Sequence, residues 1–169
     1  MENTNRSTVI LGTFLIAVGV IYLLLNLIPG VESGNTWPVI FFFLAAAFYL
    51  PSFVWPQAKK GLAGLFIPGS IMLVLGLIFT YDVFTGDWGS WAYSWLLIPG
   101  GVGLGLLLGS AAGGWGSGAT QTGLWMLGVD LGVFALLATI FGGNPVIRLL
   151  GPALIIVAGV VILLRVFRK

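Results

Sequence analysis

Three times along this chain of 169 residues a long apolar run, a short loop and a second apolar run follow one another, and nearly every charge lies in or beside the gaps. A helix needs about 20 apolar residues to cross about 30 Å of hydrocarbon. The pattern therefore predicts six transmembrane helices, at residues 8–28, 37–55, 61–81, 94–111, 122–141 and 146–167. Strands are excluded by run length, since a membrane β-barrel shows alternating segments of about ten residues. Lipid also accepts only backbone whose hydrogen bonds close internally. Only 7% of the residues are charged and 59% are hydrophobic, whereas a soluble domain carries about 25% charged residues. Spans and loops use up the length, so a single membrane domain over 1–169 is expected. The first run, Thr8 to Ile28, is longer than the about 7–15 residues of a secretory h-region and is expected to stay as a helix.

Orientation follows from the basic residues. Arg6, Lys59, Lys60, Arg165, Arg168 and Lys169 fall on one side of the predicted bundle and Arg148 near the other, which predicts that both termini are cytoplasmic. Glu32, Asp82 and Asp87 fall in the opposite loops. Trp37, Trp55, Trp88, Trp91, Trp95, Trp115 and Trp125 sit near predicted helix ends, where an amphipathic ring favours the headgroup level.

Self-comparison divides the spans into three helical hairpins, at about 8–55, 61–111 and 122–167. Gly64-Leu65-Phe66-Ile67-Pro68-Gly69 and Gly123-Leu124-Trp125-Met126-Leu127-Gly128 open the third and fifth spans alike, and Gly12-Thr13-Phe14 opens the first similarly. Pro38, Pro99 and Pro152 begin the second arms, followed seven residues later by Ala45, Leu106 and Gly159, of which Leu106 departs from the small-residue pattern. Each unit contains two crossings, so the repeats are parallel, unlike the inverted repeats common in transporters. The first hairpin runs through Gly12 and Gly19 to Leu24-Leu25-Asn26-Leu27, a short loop and Trp37-Pro38-x-Ile40. In this it resembles the transmembrane hairpins of the bacterial LiaI/LiaF-type family. The resemblance implies a multi-pass protein of the bacterial cytoplasmic membrane with a role in envelope stress or as an accessory component, and it supplies no catalytic residues.

Among single residues, Asp130 stands out. Counted from Thr122 it lies about 12 Å inside the membrane, where a charge costs about 2.5–3.5 kcal/mol on insertion scales. A proton relay, a cation site, a contact to a partner's basic residue, or a carboxyl used in packing would each compensate. Arg148 lies about one turn inside the opposite face, where its guanidinium can snorkel to headgroups. Gly101, Gly105 and Gly109 form a double GxxxG on the fourth span, and Gly128 and Gly132 repeat the spacing on the fifth. Such faces let another backbone approach closely, within the bundle or from a partner. Trp88, Trp91 and Trp95 share one face of a helical turn expected in the outer interface. Gly113-Gly114-Trp115-Gly116-Ser117-Gly118 lacks the Lys-Ser/Thr ending of a phosphate loop and is expected to be a flexible cytoplasmic linker.

With no His and no Cys, haem and pigment ligation through His, zinc proteolysis, His-dependent hydrolysis and thiol redox chemistry lack their side chains. A net charge of +2 is too small for a nucleic-acid surface. The sequence therefore predicts a non-enzymatic membrane protein with no cofactor, no metal and no catalytic residue. Its expected partners are membrane lipids and other membrane subunits or further copies of itself. The first expectation is an accessory or scaffold subunit; the alternatives are a small transporter or proton-coupled channel centred on Asp130, and an envelope-stress component.

Overall fold

A computed structural model describes residues 2–27 and 33–142, and beyond them only positions 149, 152–153, 156–157 and 159–160. The described residues are helical, with turns between the helices and no strand. The chain runs through α1 (Glu2–Leu27), α2 (Val39–Val54), the single turn α3 (Lys59–Leu62), α4 (Phe66–Thr85), the single turn α5 (Trp91–Ser94), α6 (Leu97–Gly113) and α7 (Ser117–Phe141). Short 3₁₀ turns join several of them.

Two helical runs are long and apolar enough to cross a membrane: Pro56–Thr85, of 30 residues, and Ser117–Phe141, of 25. A third qualifies if Trp88–Ser94 and Leu97–Gly113, bent by 57° relative to each other, form one span. With 16 residues, α2 reaches about 24 Å at 1.5 Å per residue, short of the about 30 Å hydrocarbon thickness. Along α1, Leu15, Ile16, Leu23 and Leu24 are exposed apolar side chains. The sixth predicted span falls mostly outside the described residues.

Neighbouring helices pack in chain order, α2 on α4, α4 on α6 and α6 on α7, and glycine makes each seam. Against α2, the ring of Tyr49 lies over Gly69, and Phe41 and Phe42 lie over Gly76. The Tyr49 hydroxyl and Ser70 Oγ also share a hydrogen bond of 2.9 Å across this seam. On α6, Gly101, Gly105 and Gly109 lie on the backbone of Ser70, Ile71, Phe66, Ile67 and Ala63, so the double GxxxG is filled from within the chain. A second side of α6 meets α7 through a reciprocal pair. A Cβ at Gly103 would stand 2.9 Å from the Gly123 carbonyl, and one at Gly123 would stand 2.7 Å from the Gly103 carbonyl. Without side chains at these positions the backbones come into direct contact, as membrane helices do where apolar attraction between them is lost to lipid.

Several boundaries differ from the sequence expectations. The first helix begins at Glu2 rather than Thr8. The run into the third span begins at Pro56 and ends at Thr85 rather than residue 81. Gly86, at φ 69°, stops it by donating its N–H to the Asp82 carbonyl at 2.8 Å, the left-handed glycine stop of many helices. The expected flexible linker contracts to a tight turn at residues 114–116, with Gly114 at φ 65° and Gly116 at φ 82°. Ser117 and Gly118 are taken into α7. Ser110 Oγ holds the turn closed, 3.3 Å from the Gly116 carbonyl and 2.8 Å from Thr120 Oγ1.

Candidate functional site

Asp130 occupies the middle of α7, thirteen residues from Ser117 and eleven from Phe141. That is about 20 Å and 16 Å along the helix, deeper than a helix starting at Thr122 would place it. Its side chain is 8% exposed and faces the start of α6, where Gly100 carries no side chain. A Cβ there would strike Oδ2 of the carboxylate. Oδ2 has no hydrogen-bond partner among the described residues. The sequence Pro99-Gly100 accounts for this approach: proline fixes the backbone in the first turn of the helix and Gly100 strips the surface that Asp130 occupies.

Asp130 is among the residues that line a cavity of about 420 Å³ between α4, α5, α6 and α7. Its lining is almost wholly apolar, from Leu77 and Ile78 on α4 to Leu127 and Phe134 on α7, and Tyr93 and Ser94 close one end. The Tyr93 and Phe134 rings meet at 5.7 Å, and the Tyr93 hydroxyl is buried without a hydrogen-bond partner among the described residues. On the other side of the α6–α7 seam, a more open cleft of about 430 Å³ is lined by Leu96, Pro99, Trp125, Val129 and again Asp130. Asp130 thus borders both spaces.

A second buried carboxylate escaped the sequence reading. Asp82, expected in a loop, is in the last turn of α4 and fully buried. Ser90 Oγ donates to its Oδ1, Ser94 Oγ stands 3.4 Å from Ser90 Oγ, and Asp82 Oδ2 has no partner among the described residues. Gly86 was the available signal: read as a helix stop, it carries α4 past residue 81 and turns Asp82 inward, one turn beyond the buried Ile78. Neither carboxylate meets a Lys or Arg among the described residues. Lys59 and Lys60 are exposed, and Arg148 lies outside the described residues.

The remaining sequence candidates divide. Gly101, Gly105 and Gly109 are buried in the α4–α6 seam, whereas Gly128 and Gly132 have no described atom within 4 Å of a Cβ position. Of the three tryptophans expected on one interfacial face, Trp88 and Trp95 are about half exposed. Trp88 stacks on Trp37 at 6.5 Å and Trp91 packs on Phe79 at 5.5 Å. The face is divided because residues 88–90 form a 3₁₀ turn before α5. Trp55 ends α2. Trp115 lies over Gly109 and Gly113, with its indole N–H donating to the Lys60 carbonyl at 3.4 Å. Trp125 does not sit at a helix end: it is eight residues into α7 and 68% exposed. The described residues hold no cluster of three or more metal-binding side chains. No family model matches the chain, and neither the curated proteins nor the solved structures compared with it give a match.

Proposed function

We propose that this chain is a non-enzymatic, six-span protein of the cytoplasmic membrane, both termini inside, that acts as a small proton-coupled transporter or channel centred on Asp130. One observation carries this reading: a buried aspartate at mid-helix, with one carboxylate oxygen unpaired among the described residues, is a lining residue of two cavities on opposite sides of a helix seam. A carboxyl used only for packing would have its oxygens bonded to neighbouring helices, because an unpaired polar group in an apolar setting costs about 1–3 kcal/mol or more. Ionisable groups at such depth otherwise mark paths for ions and protons. Proteoliposomes loaded with a pH-sensitive dye test it. Wild-type chains should relax an imposed proton gradient faster than Asp130→Asn chains, and equal relaxation by the two removes the reading.

The second reading is an accessory or scaffold subunit. Support for it has moved from the fourth span, whose glycines α4 fills, to α7, where Gly128, Gly132 and the exposed Trp125, Leu136 and Ile140 leave room for another helix. Cross-linking from cysteines at Gly128 and Leu136 would recover a partner. A chain that stays monomeric and uncross-linked in native membranes would sink it.

A further inference from the structure

We infer that the cleft beside Leu96, Pro99 and Trp125 is the seat of this chain's own residues 146–167, which lie mostly outside the described residues, with Leu154 set against Asp130 and Ala158 against Met126; this rests on the six-span part of the proposed reading and not on proton exchange.

The internal repeat carries it. Along the first arms, Gly64 and Gly69 correspond to Gly123 and Gly128 at one constant offset. On α4, the residues that Gly101 and Gly105 of α6 meet are Phe66, Ile67, Ser70, Ile71 and Val74. Carried to α7 at the same offset, these become Trp125, Met126, Val129, Asp130 and Val133, which are the five α7 residues that line the cleft. The cleft is therefore on α7 what the seat of α6 is on α4. In the second arms Pro99 corresponds to Pro152, so Gly101 and Gly105 correspond to Leu154 and Ala158. Bulkier residues replace the glycines, and a cleft of about 430 Å³ gives them room that the closed α4–α6 seam lacks.

The connection fixes the return. Gly142 ends α7, and Gly143, Asn144 and Pro145 precede the apolar run from Val146. Such a link reaches about 14 Å at most, enough for the about 8–10 Å between packed helices and too short for a second row, so the run comes back alongside α7. Toward α6 that helix already buries Gly123, Ala135 and Ala138, whereas Trp125 and Val129 on the cleft side are 68% and 59% exposed. Asp130 lies about 17 Å from the end of α7 and Leu154 about 12 Å into a helix begun at residue 146, a difference that the turn covers. The described Leu149, Ile156, Val157 and Val160 are helical and exposed. At about 100° per residue they share one face and leave Leu154 and Ala158 on the opposite one. Filling the cleft leaves the cavity of about 420 Å³ on the other side of Asp130 unchanged.

Cysteine pairs test the docking in the full chain, which has no cysteine of its own, in native membranes under mild oxidation. Met126→Cys with Ala158→Cys, and Val133→Cys with Leu154→Cys, should each form a disulfide within one chain, read by mass spectrometry as linked peptides from protein of monomer mass. Leu131→Cys with Ala158→Cys, on the side of α7 that lines the other cavity, should not. A disulfide needs Cα atoms about 4.4–6.8 Å apart, so the pairs resolve one helix face. Links at dimer mass, formed also when the two cysteines sit on separate chains, would give the cleft to a second copy and overturn the inference. So would a link at Leu131 in place of Met126, or no link in either expected pair. Single cysteines at Glu2 and Lys169 separate that failure from the topology: equal shielding of both from impermeant maleimide in intact cells leaves six spans standing, and labelling of one end alone removes them as well. A second measurement needs no oxidation. Ala158→Trp should lower Tm in mild detergent by at least about 2 °C, as overpacking does, while Val157→Trp, on the exposed face, should melt with wild type. Equal melting of the two variants would overturn the docking.

Discussion

Replacing Gly105 with alanine adds one methyl group where α4 and α6 touch through their backbones. The new Cβ would stand 2.8 Å from the Phe66 carbonyl oxygen and 2.9 Å from the Ile67 amide nitrogen, and closer still to Ile67 Cα. Comfortable contact between heavy atoms begins at about 3.5 Å. The clashing atoms belong to helix backbone, so no side chain can rotate aside. The helices must separate by roughly 0.5–1 Å, a gap that forfeits about a quarter to a half of each neighbouring dispersion contact, including those at Gly101 and Gly109. Overpacking of this kind costs about 1–3 kcal/mol, partly offset by the about 0.5–1 kcal/mol that alanine gains over glycine inside a helix. A net loss of about 1–2 kcal/mol is expected, lowering Tm by roughly 2–8 °C for a chain of this size. Gly128→Ala is the control, because no described atom lies within 4 Å of its Cβ position; it should melt at or slightly above wild type. Thermal unfolding of both variants, purified alone in mild detergent, measures the difference. If Gly105→Ala melts with wild type or above it, the backbone contact does not hold the bundle and the packing account fails.

Removing the Ser90 hydroxyl with Ser90→Ala leaves the fully buried Asp82 without its hydrogen-bond donor, so the variant should lose about 1–3 kcal/mol; an unchanged Tm would mean that Asp82 is satisfied some other way. At Gly114, where φ is 65°, alanine should cost about 1 kcal/mol of strain, and a variant as stable as wild type would contradict the left-handed turn. Orientation is tested by single cysteines, which suit a chain with none of its own. In intact cells, probes at Ala58 and Ser117 should be shielded from impermeant maleimide while those at Ser33 and Thr85 react, and the reverse pattern would invert the topology.

Much of the architecture was legible because helices long and apolar enough to cross a membrane leave a coarse mark in the sequence. Long apolar runs, glycines three and four residues apart and one carboxylate in the fifth run are features of composition and spacing, and the helices and the α4–α6 seam follow from them. Depth was harder to read. The first turn of α7 is made of Ser117, Gly118, Ala119 and Thr120, a polar, small-residue start that resembles a loop in hydropathy. Only the turn at Gly114 and Gly116 shows that the helix begins there, which moves Asp130 to the centre and Trp125 away from the end. Asp82 was misplaced for a related reason: hydropathy counts a carboxylate as a loop residue, whereas Ser90, eight residues later, turns back to bond it. The cavity itself was not legible, because it arises where α4, α5, α6 and α7 converge and no local pattern encodes that meeting.

The central claim is that the Asp130 carboxyl exchanges a proton rather than serving only to pack α7 on α6. Infrared difference spectroscopy on the full chain in lipid, recorded between two pH values, addresses it at the group itself. The account predicts a pH-dependent change in a carboxyl stretching band that is absent from Asp130→Asn. A spectrum without a carboxyl change, or one that persists in Asp130→Asn, would contradict it.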